Sequence, residues 1–201
     1  MRRAYPLSYS DYNLDKGSLT IRHGEFHGLF KWQPYFASPT VGEMRYEDIL
    51  YSAITMMPVT YLNPNISNEE KSLDGVHQFF DLFNELKDVF YGDYYPLTDW
   101  NIDNDKWIGW QFMNREADLG FVQMFRREGS PQTEMTVKPR GLEKKAMYEL
   151  NQLNGKITDT YRIENVPLDK RSGDDMMRRG INVRLDNPGT TCVVKIKKTN
   201  K

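Results

Sequence analysis

The sequence predicts a two-part fold, an α/β segment over residues 1–98 and an all-β segment over residues 99–201. In the first segment short apolar runs alternate with loops and a helix, whereas in the second segment apolar residues recur with a period of two. The chain contains neither a repeat nor a low-complexity linker, so the boundary is placed where the period changes. Such a plan is common among multidomain proteins, and by itself it indicates no function.

The first segment is predicted to contain buried strands. Residues 4–7 are interpreted as a short strand that leads into a polar loop presenting Asp11. The runs "GLFKWQPYFA" (residues 28–37) and "AITMMPVTYL" (residues 53–62) are interpreted as two further buried strand regions. Each run contains a Pro, which a sheet tolerates only at a strand end or a bulge.

A helix is predicted to follow these strands. Ser67 and Glu70 have the spacing of a capping box, in which each side chain bonds to the backbone N–H of the other residue. Apolar residues then recur at helical spacing and form one stripe, which consists of Val76, Phe80, Phe83 and Leu86. Charged residues occupy the opposite side, so the helix is expected to pack its apolar stripe against a core.

The second segment is predicted to form an antiparallel sheet or sandwich. It opens with two strands, residues 106–113 and 119–127, which the charged turn "NREAD" joins. Further short apolar runs follow, separated by Gly, Pro and Asn, and they are "TVKP", "AMYEL", "TYRIE", "INVRL" and "TCVVKIK". Many short strands at this spacing are typical of antiparallel sheets and sandwiches.

Composition excludes several classes of function. The net charge of -1 removes the electrostatic basis for a nucleic-acid partner. Cys192 is the only cysteine, so neither an intramolecular disulfide nor a cysteine zinc site can form. No apolar run has the length of a membrane span and no signal peptide is visible, so a soluble protein is expected. The chain is rich in aromatic residues, whose faces and polar edges suit sugar recognition.

Two groups of polar residues are candidates for chemistry. Asp11 follows an apolar run, where a lone Asp is most often a loop or capping residue. His23, Glu25 and His27 alternate, so in a strand they would share one face and offer a two-His-one-carboxylate metal site. Two glycines in that stretch argue against a helix, and a solvated loop without a metal is the favoured interpretation. No cofactor is predicted, because phosphate-binding and dinucleotide-binding glycine motifs are absent from the sequence.

Several segments, in order along the chain, resemble the C-terminal portion of melibiase-type α-galactosidases, which belong to glycoside hydrolase clan D. The resemblance is closest to family thirty-six of these enzymes. No single motif is specific, but together they cover nearly the whole chain. The segments are "RRAYPLSYSDY", "HGLFKWQPYF", "YEDILYSAIT", "FFDLFNELKDVFYGDYYPLT", "DKWIGWQFMNREADLGFVQMFRRE", "RGLEKKAMYEL" and "MMRRGINVRL".

The resemblance implies a fold for each segment. Residues 1–98 would be the last strands and the final helix of a (β/α)8 TIM barrel, and residues 99–201 would be a C-terminal antiparallel β-sandwich. Since about five of the eight barrel strands would precede these residues, the chain is expected to be the tail of a longer enzyme. Any signal peptide would then lie upstream. A closed barrel has no strand edges, so its last strands alone are expected to fold poorly.

The resemblance also implies a retaining glycoside hydrolase that acts on terminal α-linked galactosides or related oligosaccharides. Asp11 corresponds to the acid/base carboxylate, and Trp32 is a candidate for stacking on the sugar. A retaining enzyme needs a second carboxylate about 5 Å away as its nucleophile. The family places that Asp after a Lys on an earlier strand, and these residues contain no such strand end. We therefore expect no glycosidase activity from this chain alone.

Two alternatives remain open at this point. In the first, the chain is a non-catalytic carbohydrate-binding or scaffold module whose working part is the β-sandwich. Trp107 and Trp110 disfavour a surface sugar binder, because their spacing of three residues places them on opposite faces of a strand. The second alternative is a metal-dependent enzyme built on the three alternating His and Glu residues described above.

Overall fold

A computed structural model of the protein describes residues 18–31, 37–39, 59–61, 70–157 and 161–199. The helices within these ranges are α1 (Ser18–Leu29), α2 (Glu70–Leu86), the 3-10 helix Lys87–Tyr91 that continues it, and α3 (Gly173–Arg179). The strands are β1 (Ala37–Pro39), β2 (Val59–Tyr61), β3 (Asp93–Pro96), β4 (Ile108–Asn114), β5 (Leu119–Arg126), β6 (Glu134–Val137), β7 (Met147–Ile157), β8 (Tyr161–Pro167), β9 (Arg171–Ser172), β10 (Ile181–Arg184) and β11 (Thr190–Lys198).

Seven of these strands form one antiparallel sheet. Its order is β3-β4-β5-β11-β7-β8, and β9 also pairs with β7. β11 lies between β5 and β7 and pairs with both over most of its length, so a late strand completes the centre of the sheet. Two smaller sheets lie in the described ranges, β6 with β10 in antiparallel pairing and β1 with β2 in parallel pairing.

Both faces of the seven-stranded sheet are buried. One face packs against α1, α2 and the 3-10 helix, through a cluster to which the sheet contributes Ile108, Trp110, Phe112, Phe121, Phe125, Leu153 and Val193. The other face packs against β6, β10 and α3, through a second cluster that includes Met113, Val122, Met124, Cys192, Val194 and Ile196. Because side chains alternate between the faces, the central strands are apolar at most positions. This architecture is consistent with the predicted β-sandwich.

The structure confirms the predicted hairpin and the predicted helix. β4 and β5 pair directly, and the turn between them is closed by Asn114, whose Oδ1 accepts hydrogen bonds from the backbone of Glu116 (3.0 Å) and Ala117 (3.2 Å). Later strands β6, β7, β8, β10 and β11 also coincide with predicted runs. Among the α2 side chains that the structure describes, those of Phe79, Leu82, Phe83 and Leu86 are buried, whereas Phe80 of the predicted stripe is half-buried.

The sequence prediction around residues 23–31 is wrong. Helix α1 covers the stretch interpreted as a solvated loop and the start of the run predicted as a strand. Gly24 and Gly28, whose low helix propensity argued against a helix, lie one turn apart on the same helix face. Trp100 packs there, donating a hydrogen bond from Nε1 to the Gly24 carbonyl at 2.8 Å. Packing outweighs propensity at Gly24, because a Cβ there would come too close to Ile102 and to the Asn101 backbone.

Other predicted elements of the first segment are described only in part. β2 falls within the run predicted at residues 53–62, and β1 begins at the last residue of the run predicted at residues 28–37. The remaining predicted barrel strands and Ser67 lie outside the described residues. The division of the chain at residue 98 stays a prediction. None of the described helices has the length and apolar character needed to cross a bilayer.

Replacing Gly28 by Ala is expected to stabilise the protein. A Cβ there would lie 3.5 Å from Trp100 Nε1, an ordinary contact distance. The gain in helix propensity, about 0.5–1 kcal/mol, would therefore be retained. Gly24→Ala is the matched control without this gain, since its Cβ would lie 2.8 Å from Ile102 Cγ2 and 3.2 Å from the Asn101 carbonyl oxygen. Urea unfolding measures the difference, and equal stabilities of the two variants would contradict this packing.

Candidate functional site

The two residues predicted to act on a sugar, Asp11 and Trp32, lie outside the described residues, and their roles stay predictions. The described element nearest to both in the sequence is α1, which begins seven residues after Asp11 and ends three residues before Trp32. The contacts that hold α1 on the sheet are therefore the part of the candidate site that the structure describes.

The helical conformation of α1 separates the three residues proposed as metal ligands. His23 and His27 lie four residues apart on one helix face and are fully buried, whereas Glu25 lies on another side and is half-buried. The His23 ring packs on Phe125 with 4.1 Å between ring centroids, and His27 meets the edge of Trp110 at 6.5 Å. Among the described residues no three His, Cys, Asp or Glu side chains are placed to hold a metal ion.

The hydrogen bond of His27 identifies its tautomer. Nε2 lies 2.9 Å from the Thr98 carbonyl oxygen, which can only accept, so Nε2 carries the proton. Burial lowers the pKa of His27, because removal from water disfavours the imidazolium; the Thr98 carbonyl opposes this effect, and the positive charges of Lys31 and Arg127 add to it. Tyr94 donates to the His27 carbonyl at 3.1 Å, and burial raises the pKa of Tyr94, so its hydroxyl remains a donor.

Arg127 joins the first turn of α1 to the segment that precedes β4. Its side chain is fully buried, and its guanidinium donates to the carbonyl oxygens of Asp103 (2.8 Å), Asn101 (3.0 Å) and Thr20 (3.1 Å). It also donates to Oδ1 of Asn101. These bonds connect residues 20, 101, 103 and 127, so α1 is held at its first turn by Arg127 and near its end by the His27 bond.

The pair Arg126-Arg127 is a feature whose role sequence reasoning missed. Successive strand residues point to opposite faces, and the two arginines serve opposite sides of the sheet. Arg126 donates to the carbonyl oxygens of Ser130 (2.9 Å), Leu185 (2.9 Å) and Asp186 (2.7 Å). The signal available in the sequence was two basic residues at the end of an apolar strand, where each would need internal acceptors.

Comparison with known proteins finds likeness in structure only. No protein-family model matches the chain, and no curated protein matches its sequence. The α-galactosidase AgaA from Geobacillus stearothermophilus, of glycoside hydrolase family 36, superposes with a TM-score of 0.70 at 14% identity, over 92% of this chain and 25% of that chain. The galactosidase domain of the α-galactosidase-sucrose kinase AgaSK gives a TM-score of 0.69 at 15% identity, over 96% and 26%.

A variant of AgaA in complex with raffinose gives a TM-score of 0.69 at 13% identity, over 95% of this chain and 26% of that chain. The fold of this chain is distantly like that of family 36. At such identities the likeness concerns the fold alone, and the chain spans about a quarter of the length of the α-galactosidases it matches.

Removal of the Arg127 guanidinium is expected to weaken the attachment of α1. Arg127→Met removes hydrogen bonds from three part-buried carbonyl oxygens, at a cost of about 2–3 kcal/mol in the free energy of unfolding. Arg115→Met is the matched control, because Arg115 is exposed and pairs on the surface with Asp93. Urea unfolding and hydrogen exchange of the α1 amides measure the effect. Equal stability losses in the two variants would contradict the attachment.

Acidification is expected to destabilise the protein through His27. Its pKa in the folded protein lies below the ordinary value of 6.5, so the unfolded chain takes up the proton first. The contribution of neutral His27 to the free energy of unfolding is therefore fully present above pH 6.5 and is lost as the pH falls through the pKa of the folded protein. Unfolding between about pH 7.5 and 5.5, above the ordinary carboxylate range, measures this loss. His27→Gln should flatten the profile, and a profile identical to that of the unsubstituted protein would refute the assignment.

Proposed function

We propose that this chain is a portion of a retaining glycoside hydrolase of α-galactosidase type. The observation that carries the proposal is the superposition on family 36 α-galactosidases over 92–96% of the chain. The ordered motifs between "RRAYPLSYSDY" and "MMRRGINVRL" support the same family independently of the structure. The substrates proposed for the whole enzyme are terminal α-linked galactosides, including oligosaccharides such as the raffinose bound by the AgaA variant.

In the proposed mechanism Asp11 is the acid/base. Its carboxylic acid protonates the glycosidic oxygen as the bond to the anomeric carbon breaks, and its carboxylate then removes a proton from the incoming water. A second carboxylate, outside these residues, attacks the anomeric carbon and forms the glycosyl-enzyme. Trp32 offers an aromatic face to the apolar side of the sugar ring. Because one carboxylate cannot carry out both roles, the chain alone is proposed to be inactive.

α1 contributes to the proposed site by fixing the chain beside both residues. Its first turn is bonded to Arg127 and its last turn to Thr98, so the helix that follows Asp11 in the sequence is fixed at both ends. A general acid must lie within hydrogen-bond reach of the oxygen that it protonates, which requires such fixed anchors. We therefore propose that the sheet supports catalysis through α1 without touching the substrate.

The alternative of a non-catalytic sugar-binding module finds no support in the two tryptophans considered for it. Trp107 and Trp110 are 2% and 1% exposed, and they belong to the clusters on opposite faces of the sheet. Neither ring presents a face to solvent on which a sugar could stack. Both residues serve the core, where Trp107 Nε1 donates to the Gln132 carbonyl at 3.0 Å.

The acid/base role of Asp11 predicts a dependence on the leaving group. In a longer protein expressed from the reading frame extended upstream of Met1, Asp11→Asn should lower kcat/KM about 100- to 10,000-fold for oligosaccharides. The loss should be much smaller for aryl galactosides with acidic phenols, because such leaving groups need no proton. Asp15→Asn is the matched control. The measurement is kcat/KM across a series of aryl α-galactosides, and a uniform loss, or none, would contradict the assignment.

A further inference from the structure

A buried polar group faces α1 from the middle of the seven-stranded sheet. Gln123 on β5 is fully buried, and neither its Nε2 nor its Oε1 has a hydrogen-bond partner among the described residues. It lies directly opposite Trp110 on β4 and Val193 on β11. Phe121 and Phe125, two positions away on β5, share its face. All four neighbours belong to the apolar cluster beneath the helices, so the sheet itself offers the amide no partner.

Two histidine rings of α1 lie over the same part of the sheet. His23 packs on Phe125 and His27 on Trp110, so the helical turn between them covers the sheet around Gln123. With its proton on Nε2 and bonded to Thr98, the neutral His27 ring has a bare acceptor at Nδ1. This Nδ1 is buried and has no partner among the described residues. A donor and two acceptors thus lie in one apolar layer.

We propose that an ordered water molecule binds between Gln123 and His27 and joins the sheet to α1. The water accepts a hydrogen bond from Gln123 Nε2 and donates one to His27 Nδ1. Buried waters occupy sites of this kind, where polar groups in the interior lack protein partners. Water fits both groups because it is donor and acceptor at once. A metal ion does not fit, since the site offers two neutral ligands and no carboxylate.

The water would attach α1 to β5, in addition to the bonds that Arg127 makes just after the strand ends. It would also explain why a Gln is tolerated in the core. A buried amide without partners destabilises a fold, whereas a bridged amide contributes a directed contact. This inference concerns the chain as it stands and is independent of the proposed glycosidase function.

The proposal is tested by whether one substitution lowers or raises Tm. Gln123→Leu is expected to lower Tm by about 2–6 °C, because loss of the bridge leaves His27 Nδ1 without a partner. If the amide had no partner, the same substitution would raise Tm or leave it unchanged, and the proposal would be overturned. Gln111→Leu is the reference: it measures the fall in Tm when a core glutamine that is hydrogen-bonded is replaced, since Gln111 exchanges two 2.8 Å hydrogen bonds with the Arg140 backbone.

A crystal structure tests the proposal without any variant, so it decides the matter even if Gln123→Leu does not fold. It should show a water oxygen within about 2.7–3.2 Å of both Gln123 Nε2 and His27 Nδ1. In solution, the nitrogen-15 shift of His27 Nδ1 should change in Gln123→Leu and stay constant in Gln111→Leu. A direct bond between the amide and the ring, or a ring nitrogen insensitive to Gln123→Leu, would refute the water site.

Discussion

The burial of both faces of the seven-stranded sheet is the constraint on which the rest of this structure depends. A shift of one residue in any strand would exchange its two faces, so the register of β11 between β5 and β7 determines which side chains meet the helices. α1, α2 and the 3-10 helix must cover one face, and β6, β10 and α3 must cover the other. The elements from both parts of the sequence therefore form continuous cores with the same sheet.

Burial on both faces also explains the hydrogen bonds around α1. Polar side chains in such a sheet have no access to solvent and need internal partners. Arg127 donates hydrogen bonds to backbone carbonyls of α1 and of the segment before β4, and Arg126 donates to backbone carbonyls on the opposite face. Gln111 bonds to the Arg140 backbone, and Gln123 meets the need through the proposed water. The bonds of Arg127 help to hold α1 on the sheet.

The sequence predicted elements whose periodicity follows from local burial, and it failed where distant residues decide the outcome. The β4–β5 hairpin was predictable because alternation and an Asn-initiated turn lie within one short stretch. α1 was not, because the glycine at residue 24 is explained only by Ile102 and Asn101, which pack beside it and are distant in the sequence. α3 was missed because a helix of seven residues, capped by Ser172, is too short to show a period. The role of Arg127 depends on Thr20, more than one hundred residues away.

The central functional claim is that these residues supply an acid/base while the nucleophile lies ahead of them in a longer protein. Covalent trapping tests this claim most directly. The extended protein is incubated with a fluorinated galactosyl fluoride, which a retaining enzyme converts to a slowly hydrolysed glycosyl-enzyme, and the labelled peptide is located by mass spectrometry. The account predicts one galactosyl adduct on a carboxylate upstream of Met1. An adduct on Asp11 or elsewhere within residues 1–201, or no adduct in a protein that hydrolyses the substrate, would contradict it.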